Sequence, residues 1–198
     1  MTRVHALVPV KTFSSAKSRL AKVRSPEERA TLARAMAEHV LGVLRGCRRI
    51  EAITVVTPGD DVAAWAEGLG ARALKDLGTA ERLGDVIDDA LAHLAAEGAE
   101  AALVVMSDLP NLDAESIERM IDELAGADLV VAPDVDGLGT NALALAPPTR
   151  MRTCFGNVDS AMRHRDAAVR QGLRVVDVCS PGLGRDVDVP DDLAATGR

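Results

Sequence analysis

Short runs of Val, Ala, Leu and Ile alternate along the whole chain with longer amphipathic stretches. This alternation constrains the fold more than any other feature. Residues 4–10 (VHALVPV), 52–57 (AITVVT), 71–74 (ARAL), ALVVM ending at Met106, 128–133 (DLVVAP), 142–147 (ALALAP) and 174–178 (RVVDV) read as strands. Several of them are apolar at every position, as strands covered on both faces must be. Between them, residues 25–46, 80–98, 113–126 and 159–171 read as helices. The first of these opens with Ser25, Pro26 and Glu28, an N-cap, a proline at the first helical position and the closing acid of a capping box. Its apolar residues Ala33, Met36, Ala37, Val40, Leu41 and Leu44 recur every three or four positions. The tail DVDVPDDLAAT is expected to end in a short helix with Pro190 near its start. Strands separated by helices of this length imply βαβ units, a mostly parallel sheet and helices on both of its faces. The 198 residues suffice for one domain spanning 1–198.

The core is built without rings: aromatics make up 2% of the chain, against 47% hydrophobic residues overall. Net charge is −7, which excludes a binder that relies on a cationic surface to hold nucleic acid. The same charge repels anionic small molecules, so any phosphate site has to be made locally. Cys47, Cys154 and Cys179 are three in number, far apart and without a CxxC pair, so neither a disulfide framework nor a zinc knuckle is expected. No signal-like segment or membrane-length apolar run is found, and a reduced, cytoplasmic protein with no membrane partner is the expectation.

In sheets of this kind ligands bind beyond the carboxyl ends of the strands. After the first strand come Lys11, Lys17 and Arg19 with Ser14, Ser15 and Ser18 between them, which reads either as a solvated loop or as an anion-binding loop. Neither the Walker A spacing nor a glycine fingerprint is present. After Met106 come Ser107 and Asp108, where the aspartate either holds Mg²⁺ or opens the turn before Pro110. In DVDGLGTNALAL, Gly137 and Gly139 suit a close backbone approach or a β-hairpin turn. Thr140 and Asn141 follow with hydroxyl, amide and N–H donors. Asp134 and Asp136 read as solvent-facing rather than metal-binding. Gly156 precedes a helix N-terminus that Asp159 or Ser160 caps, and its N–H groups suit an anion. His164 reads as structural. Asp186 and Asp188, two apart in an extended segment, share a face and join Asp108 as candidate metal ligands, or else form an acidic cap before the last helix.

Taken together, PVKTFSSAKSRL, SDLP, GLGTNAL, FG…S…H and DVDVPDDL resemble, in order, the guanylyltransferase family of coenzyme F420 biosynthesis, the CofC/FbiD enzymes. The likeness runs from residue 7 to about 193. SDLP and DVDxPDDL also occur in molybdopterin-type cytidylyltransferases, but those usually carry a glycine-rich loop in place of residues 11–19. Two places depart from the family pattern. Gly156 and Ser160 are four apart rather than three, and Gly84 stands where the family has Asn. The resemblance implies a Rossmann-like nucleotidyltransferase fold that transfers GMP from GTP to the phosphate of a small three-carbon acid. The acceptor it implies is phosphoenolpyruvate or 2-phospho-L-lactate, with 3-phospho-D-glycerate as the alternative, and pyrophosphate is released. It further implies Mg²⁺ on Asp108, Asp186 and Asp188. Lys11, Lys17, Arg19 and Ser107 would lie at the triphosphate, the first three with Asp108 as the catalytic set. Thr140, Asn141, Gly156 and Ser160 would lie at the acceptor. A downstream transferase of the same pathway is the implied protein partner. A cytidylyltransferase and a non-catalytic nucleotide-binding module are the competing readings.

Overall fold

The computed structural model describes residues 3–76 and 82–187. Two-sided burial organises it. Every residue of β4 (Ala102–Val105), β5 (Leu129–Pro133) and β6 (Thr140–Leu145) is buried, and so is every residue of β1 (Val4–Pro9) except half-buried His5. With β2 (Ile50–Thr57), β3 (Arg72–Lys75) and β7 (Val175–Asp177) they form one seven-stranded sheet in the order β3-β2-β1-β4-β6-β5-β7. All pairings are parallel except those of β6, which runs antiparallel to both β4 and β5.

Outside the register shift near Thr140 and Asn141, side chains of the central strands alternate between the two faces of the sheet. Ala6, Val8, Leu103, Val105, Val130, Ala132, Ala142 and Ala144 pack against α1 (Pro26–Gly46), α2 (Asp60–Gly68), α4 (Ala114–Leu124) and α6 (Pro181–Gly184). Leu7, Ala102, Val104, Leu129, Val131, Leu143 and Leu145 face α3 (Leu83–Ala96) and α5 (Ser160–Arg170). Small residues on the strands let the helices sit close, so a core almost without aromatic rings still closes. The α1 capping box is complete. Ser25 Oγ accepts from the Glu28 N–H, and Glu28 Oε2 accepts from the Ser25 N–H at 2.7 Å, together contributing about 1 kcal/mol. Asp113 caps α4 through the Ser116 N–H at 2.7 Å.

The mostly parallel sheet with helices on both faces is as expected. The details that differ have local causes. α2 is not expected from the sequence: its nine residues bury only Val62 and Ala66, too few to show a period. The seventh-strand and third-strand boundaries shift by one residue, and the strand expected over 142–147 begins two residues earlier, at Thr140. Its direction is set by the tight connection from β5. The short α6 is a single turn opened by Ser180 and Pro181. The expected terminal helix and Asp188 lie outside the described residues. Among the described residues, no helix is long and apolar enough to cross a membrane.

Candidate functional site

Five parallel strands and the amino end of antiparallel β6 open onto the same edge of the sheet as β4, and the chemistry-bearing segments gather there. The first is the loop after β1. Val10 is still buried, its N–H bonded to the Val56 carbonyl at 3.0 Å. The loop then makes two 3-10 turns, Phe13–Ser15 and Ser18–Lys22. Phe13 sets its ring edge against Trp65 of α2, with centroids 5.0 Å apart, and Leu20 is buried with Met36 of α1 and with Val187. Arg29 of α1 donates to the Ala16 carbonyl at 3.1 Å. The loop is thus pinned at both ends and in the middle, with Lys11 and Arg19 exposed and Lys17 turned inward.

Lys17 has φ 53° and ψ 41°, the one positive φ outside glycine among the described residues. That backbone costs a lysine roughly 1–2 kcal/mol and persists only where the surroundings impose it. Here the imposing contact is visible: Lys17 Nζ donates to Asp108 Oδ2 at 2.6 Å, with the lysine side chain only 8% exposed. Asp108 follows β4 through Met106, whose N–H bonds the Asn141 carbonyl at 2.9 Å, and Ser107, which is half-buried. Asp108 lies in the turn before Pro110, and its carboxylate caps no backbone N–H among the described residues. Its second oxygen, Oδ1, is buried and has no hydrogen-bond partner there. With Lys17 on the other oxygen, leaving this buried one without a hydrogen bond is still unfavourable by about 1–3 kcal/mol.

The tail returns to this point. The Val187 N–H donates to the Asp108 carbonyl at 3.3 Å, which brings Asp186 to the same end of β4. Among the described residues no group of three acidic, histidine or cysteine side chains forms a ready-made metal cage. Mg²⁺ does not need one: it is held by one or two carboxylates while substrate phosphates and waters complete its shell. A buried carboxylate oxygen without a hydrogen bond, with a second acid on the segment bonded beside it, fits that ion.

The second cluster lies across β6. Gly137 and Gly139 belong to the β5–β6 hairpin connection. Asp134 accepts the N–H of Leu138 at 2.9 Å and of Gly139 at 2.7 Å, so its carboxylate serves the turn. A Cβ on Gly139 would stand 2.6 Å from Asp134 Oδ2. Thr140 and Asn141 are buried in β6. Thr140 Oγ1 lies 3.1 Å from His164 Nδ1, and Asn141 Nδ2 donates to the Leu183 carbonyl at 2.7 Å. His164, fully buried in α5, accepts the Cys154 N–H at Nε2 over 2.7 Å. Nε2 therefore carries no proton, and Nδ1–H points to Thr140. Burial pushes the ring's pKa down to about 4, so it stays neutral at ordinary pH. His164 thus holds the 153–157 loop and β6 together. Its position four residues after Ser160 on one helix face is the sequence signal for that role.

Gly156, at φ +86° and exposed, turns this loop against Leu83, and Ser160 begins α5 buried, its N–H bonded to the Asn157 carbonyl at 3.2 Å. Asp159 stands at the cap position but its side chain makes no capping bond. It pairs with Arg163 at 2.6 Å instead. Gly84 underlies the same loop: a Cβ there would sit 3.1 Å from the Phe155 carbonyl. Gly84, one departure from the family pattern, therefore lies against the backbone of Thr153 and Phe155 that leads into Gly156. The structure brings Lys17, Asp108 and the segment with Asp186 into one contact group; Lys11 and Arg19 lie exposed on the loop that carries Lys17, and Ser107 is half-buried next to Asp108. Thr140, Asn141 and Ser160 lie inside the neighbouring cluster, and Gly156 lies on its surface.

The fold has counterparts among solved structures. It superimposes on a protein described as a nucleotide-diphospho-sugar transferase from Desulfovibrio desulfuricans with a TM-score of 0.83 at 21% identity, over 100% of this chain and 87% of that one. It also superimposes on a 4-diphosphocytidyl-2C-methyl-D-erythritol synthase with a TM-score of 0.68 at 17% identity, over 99% and 98%. The sheet is the Rossmann-like scaffold of the nucleotidyltransferases, with a cationic loop and an acidic strand end at the carboxyl edge of its parallel strands. Residues 4–196 match the family model described as guanylyl transferase CofC like. The chain is 38% identical over 190 residues to the phosphoenolpyruvate guanylyltransferase of Sphaerobacter thermophilus, spanning 95% of this chain and 89% of that enzyme. It is 33% identical over 188 residues to the 2-phospho-L-lactate guanylyltransferase of Methanothermobacter thermautotrophicus, spanning 95% and 81%. The chain belongs to the CofC-like guanylyl transferase family.

Proposed function

We propose that residues 1–198 form one cytoplasmic catalytic domain that transfers GMP from GTP to the phosphate of phosphoenolpyruvate, with Mg²⁺ as cofactor, in coenzyme F420 biosynthesis. The observation that carries this reading is the Lys17–Asp108 pair with its buried, unpartnered Oδ1. Asp108 and Asp186 would hold Mg²⁺, with Asp188 as a third acid. The bound ion supplies charge neutralisation at the α-phosphate. Lys11, Lys17 and Arg19 neutralise the triphosphate and then the departing pyrophosphate, with Ser107 beside them. The Gly156 loop, Thr140 and Ser160 support the acceptor, held in register by His164.

In the transfer, an acceptor phosphate oxygen forms a bond to the α-phosphorus while the bond from that phosphorus to the bridging oxygen breaks. The electron pair leaves with pyrophosphate. A phosphate dianion is already a nucleophile, so no general base is required, and neutral His164, with both ring nitrogens engaged, is not asked to be one. The product would pass to the next transferase of the pathway.

Pyrophosphate release tests the reading, with GTP, ATP and CTP each offered phosphoenolpyruvate, 2-phospho-L-lactate and 3-phospho-D-glycerate. GTP with phosphoenolpyruvate is expected to be fastest, by roughly 10–200-fold over the next acceptor, the range that one change of acceptor shape commands. The greater identity to a phosphoenolpyruvate enzyme supports that choice. A preference for another acceptor overturns the acceptor alone. A preference for CTP overturns the nucleotide. No release with any pair overturns the enzyme.

A further inference from the structure

β6 carries one residue more than its neighbour. Ala132 of β5 stands opposite Ala142, and Pro133 stands opposite Thr140, which leaves Asn141 as the extra residue of a β-bulge. Along the rest of β6, Leu145 and Leu143 face α3 and α5, while Ala144 and Ala142 face the other helices. Unbroken alternation would carry Asn141 toward α3 and α5 and Thr140 away from them. The bulge exchanges the two: Thr140 reaches His164 of α5, and Asn141 reaches Leu183 of α6.

Asn141 is 5% exposed, and its two polar ends hold two different segments. Its carbonyl accepts the N–H of Met106, two residues before Asp108. Its Nδ2 donates to the carbonyl of Leu183, three residues before Asp186. Two backbone bonds close the same unit, from the Val135 N–H to the Gly184 carbonyl at 2.7 Å and from the Val187 N–H to the Asp108 carbonyl at 3.3 Å. Of these links, only the one from Asn141 to Leu183 is made by a side chain.

We infer that Asn141 is a positioning residue that sets the spacing between the Asp108 and Asp186 segments for a shared divalent cation. The inference rests on the proposed function in taking these two acids as metal ligands. As a positioning residue Asn141 would touch neither substrate nor ion; its Nδ2 is engaged with Leu183 inside the fold. Its influence on the ion passes through backbone geometry, as that of residues behind metal ligands generally does.

The test uses Asn141→Leu, which keeps the volume and removes the donor. Mn²⁺ binding is measured by calorimetry on the enzyme saturated with α,β-methylene GTP, and binding of the analogue without metal is measured separately. The variant is expected to bind Mn²⁺ about tenfold more weakly, within the range seen for groups behind metal ligands, and the metal-free analogue within about twofold of wild type. Amide exchange over 183–187 is expected to quicken. Mn²⁺ affinity equal to wild type overturns the inference, and so does an equal loss of metal-free analogue binding, which marks a merely structural role. If Asn141→Leu fails to fold, Asn141→Ser, which retains a short donor, is expected to lose Mn²⁺ affinity by about threefold, and no loss there overturns the inference. A wild-type enzyme that takes up no Mn²⁺ with the analogue overturns the metal reading and this inference together.

Discussion

Replacing Asp108 by asparagine lowers guanylyl transfer at least about a thousandfold, roughly 4 kcal/mol of barrier, while the protein stays folded. The carboxamide matches the carboxylate in shape, so the packing of Leu109 and Pro110 behind it is preserved. What disappears is the negative charge at the buried Oδ1, the feature that suits a cation. The same change also weakens the pairing with the Lys17 ammonium, because a neutral amide oxygen replaces a charged one, and the two effects have to be separated. Lys17→Met separates them, because it keeps the aliphatic stem and loses only the charge. If Asp108 served just to hold Lys17, the double variant would be no slower than Lys17→Met. Expected instead is a further loss of at least about tenfold in the double variant, together with weaker GTP binding in Lys17→Met alone. Pyrophosphate release at saturating Mg²⁺ and a melting curve decide the matter. An Asp108→Asn enzyme within about threefold of wild type would remove the carboxylate from the chemistry.

The second large effect concerns stability in acid. Above pH 6.5 the His164 ring is neutral in both the folded and the unfolded chain, and stability does not depend on pH through it. Below 6.5 the unfolded chain takes up a proton that the buried ring refuses, so stability falls until the folded ring also protonates near pH 4, and then the loss levels off. The window amounts to roughly 3 kcal/mol. His164→Phe keeps the ring volume against Phe155 but leaves the Cys154 N–H and the Thr140 hydroxyl without this partner. At pH 7.5 it is expected to cost about 2–3 kcal/mol. The variant should then lose less than wild type between pH 6.5 and 4. His5, whose pKa is also lowered by burial and by Arg72, is common to both proteins. The difference between the two urea-unfolding series therefore isolates His164. Parallel series would assign the proton to another group.

Much of this architecture is legible in the sequence because its causes are local. Ser25, Pro26 and Glu28 announce α1, and apolar residues at every position of β4 and β5 announce strands covered on both sides. The cationic loop and Asp108 are legible as site candidates because chemistry in such sheets follows strand ends. That Lys17 and Asp108 meet is not legible, since 91 residues separate them and nothing in either segment specifies the other. The glycines at 137 and 139 fit both a hairpin and a ligand loop, and only the pairing of β6 with β4 and β5 decides between them. The bulge at Asn141 leaves no mark in the pattern, because a one-residue register change is a property of two strands rather than one. Thr140 and Asn141 are recognisable as polar residues in an apolar strand, but not as two side chains turned to opposite faces.

Trp65 is the sole tryptophan, and the chain contains no tyrosine. Its indole meets Phe13 edge-on, and its Nε1–H is anchored on Glu38 of α1 at 3.1 Å. Phe13 lies between Lys11 and Lys17, so the lone fluorophore of the protein abuts the loop that would close over a triphosphate. Its emission is therefore uncontaminated by other indoles or phenols and sensitive to how Phe13 sits. A nucleotide titration can be followed in unlabelled enzyme, at one wavelength, with the signal arising beside the proposed phosphate site.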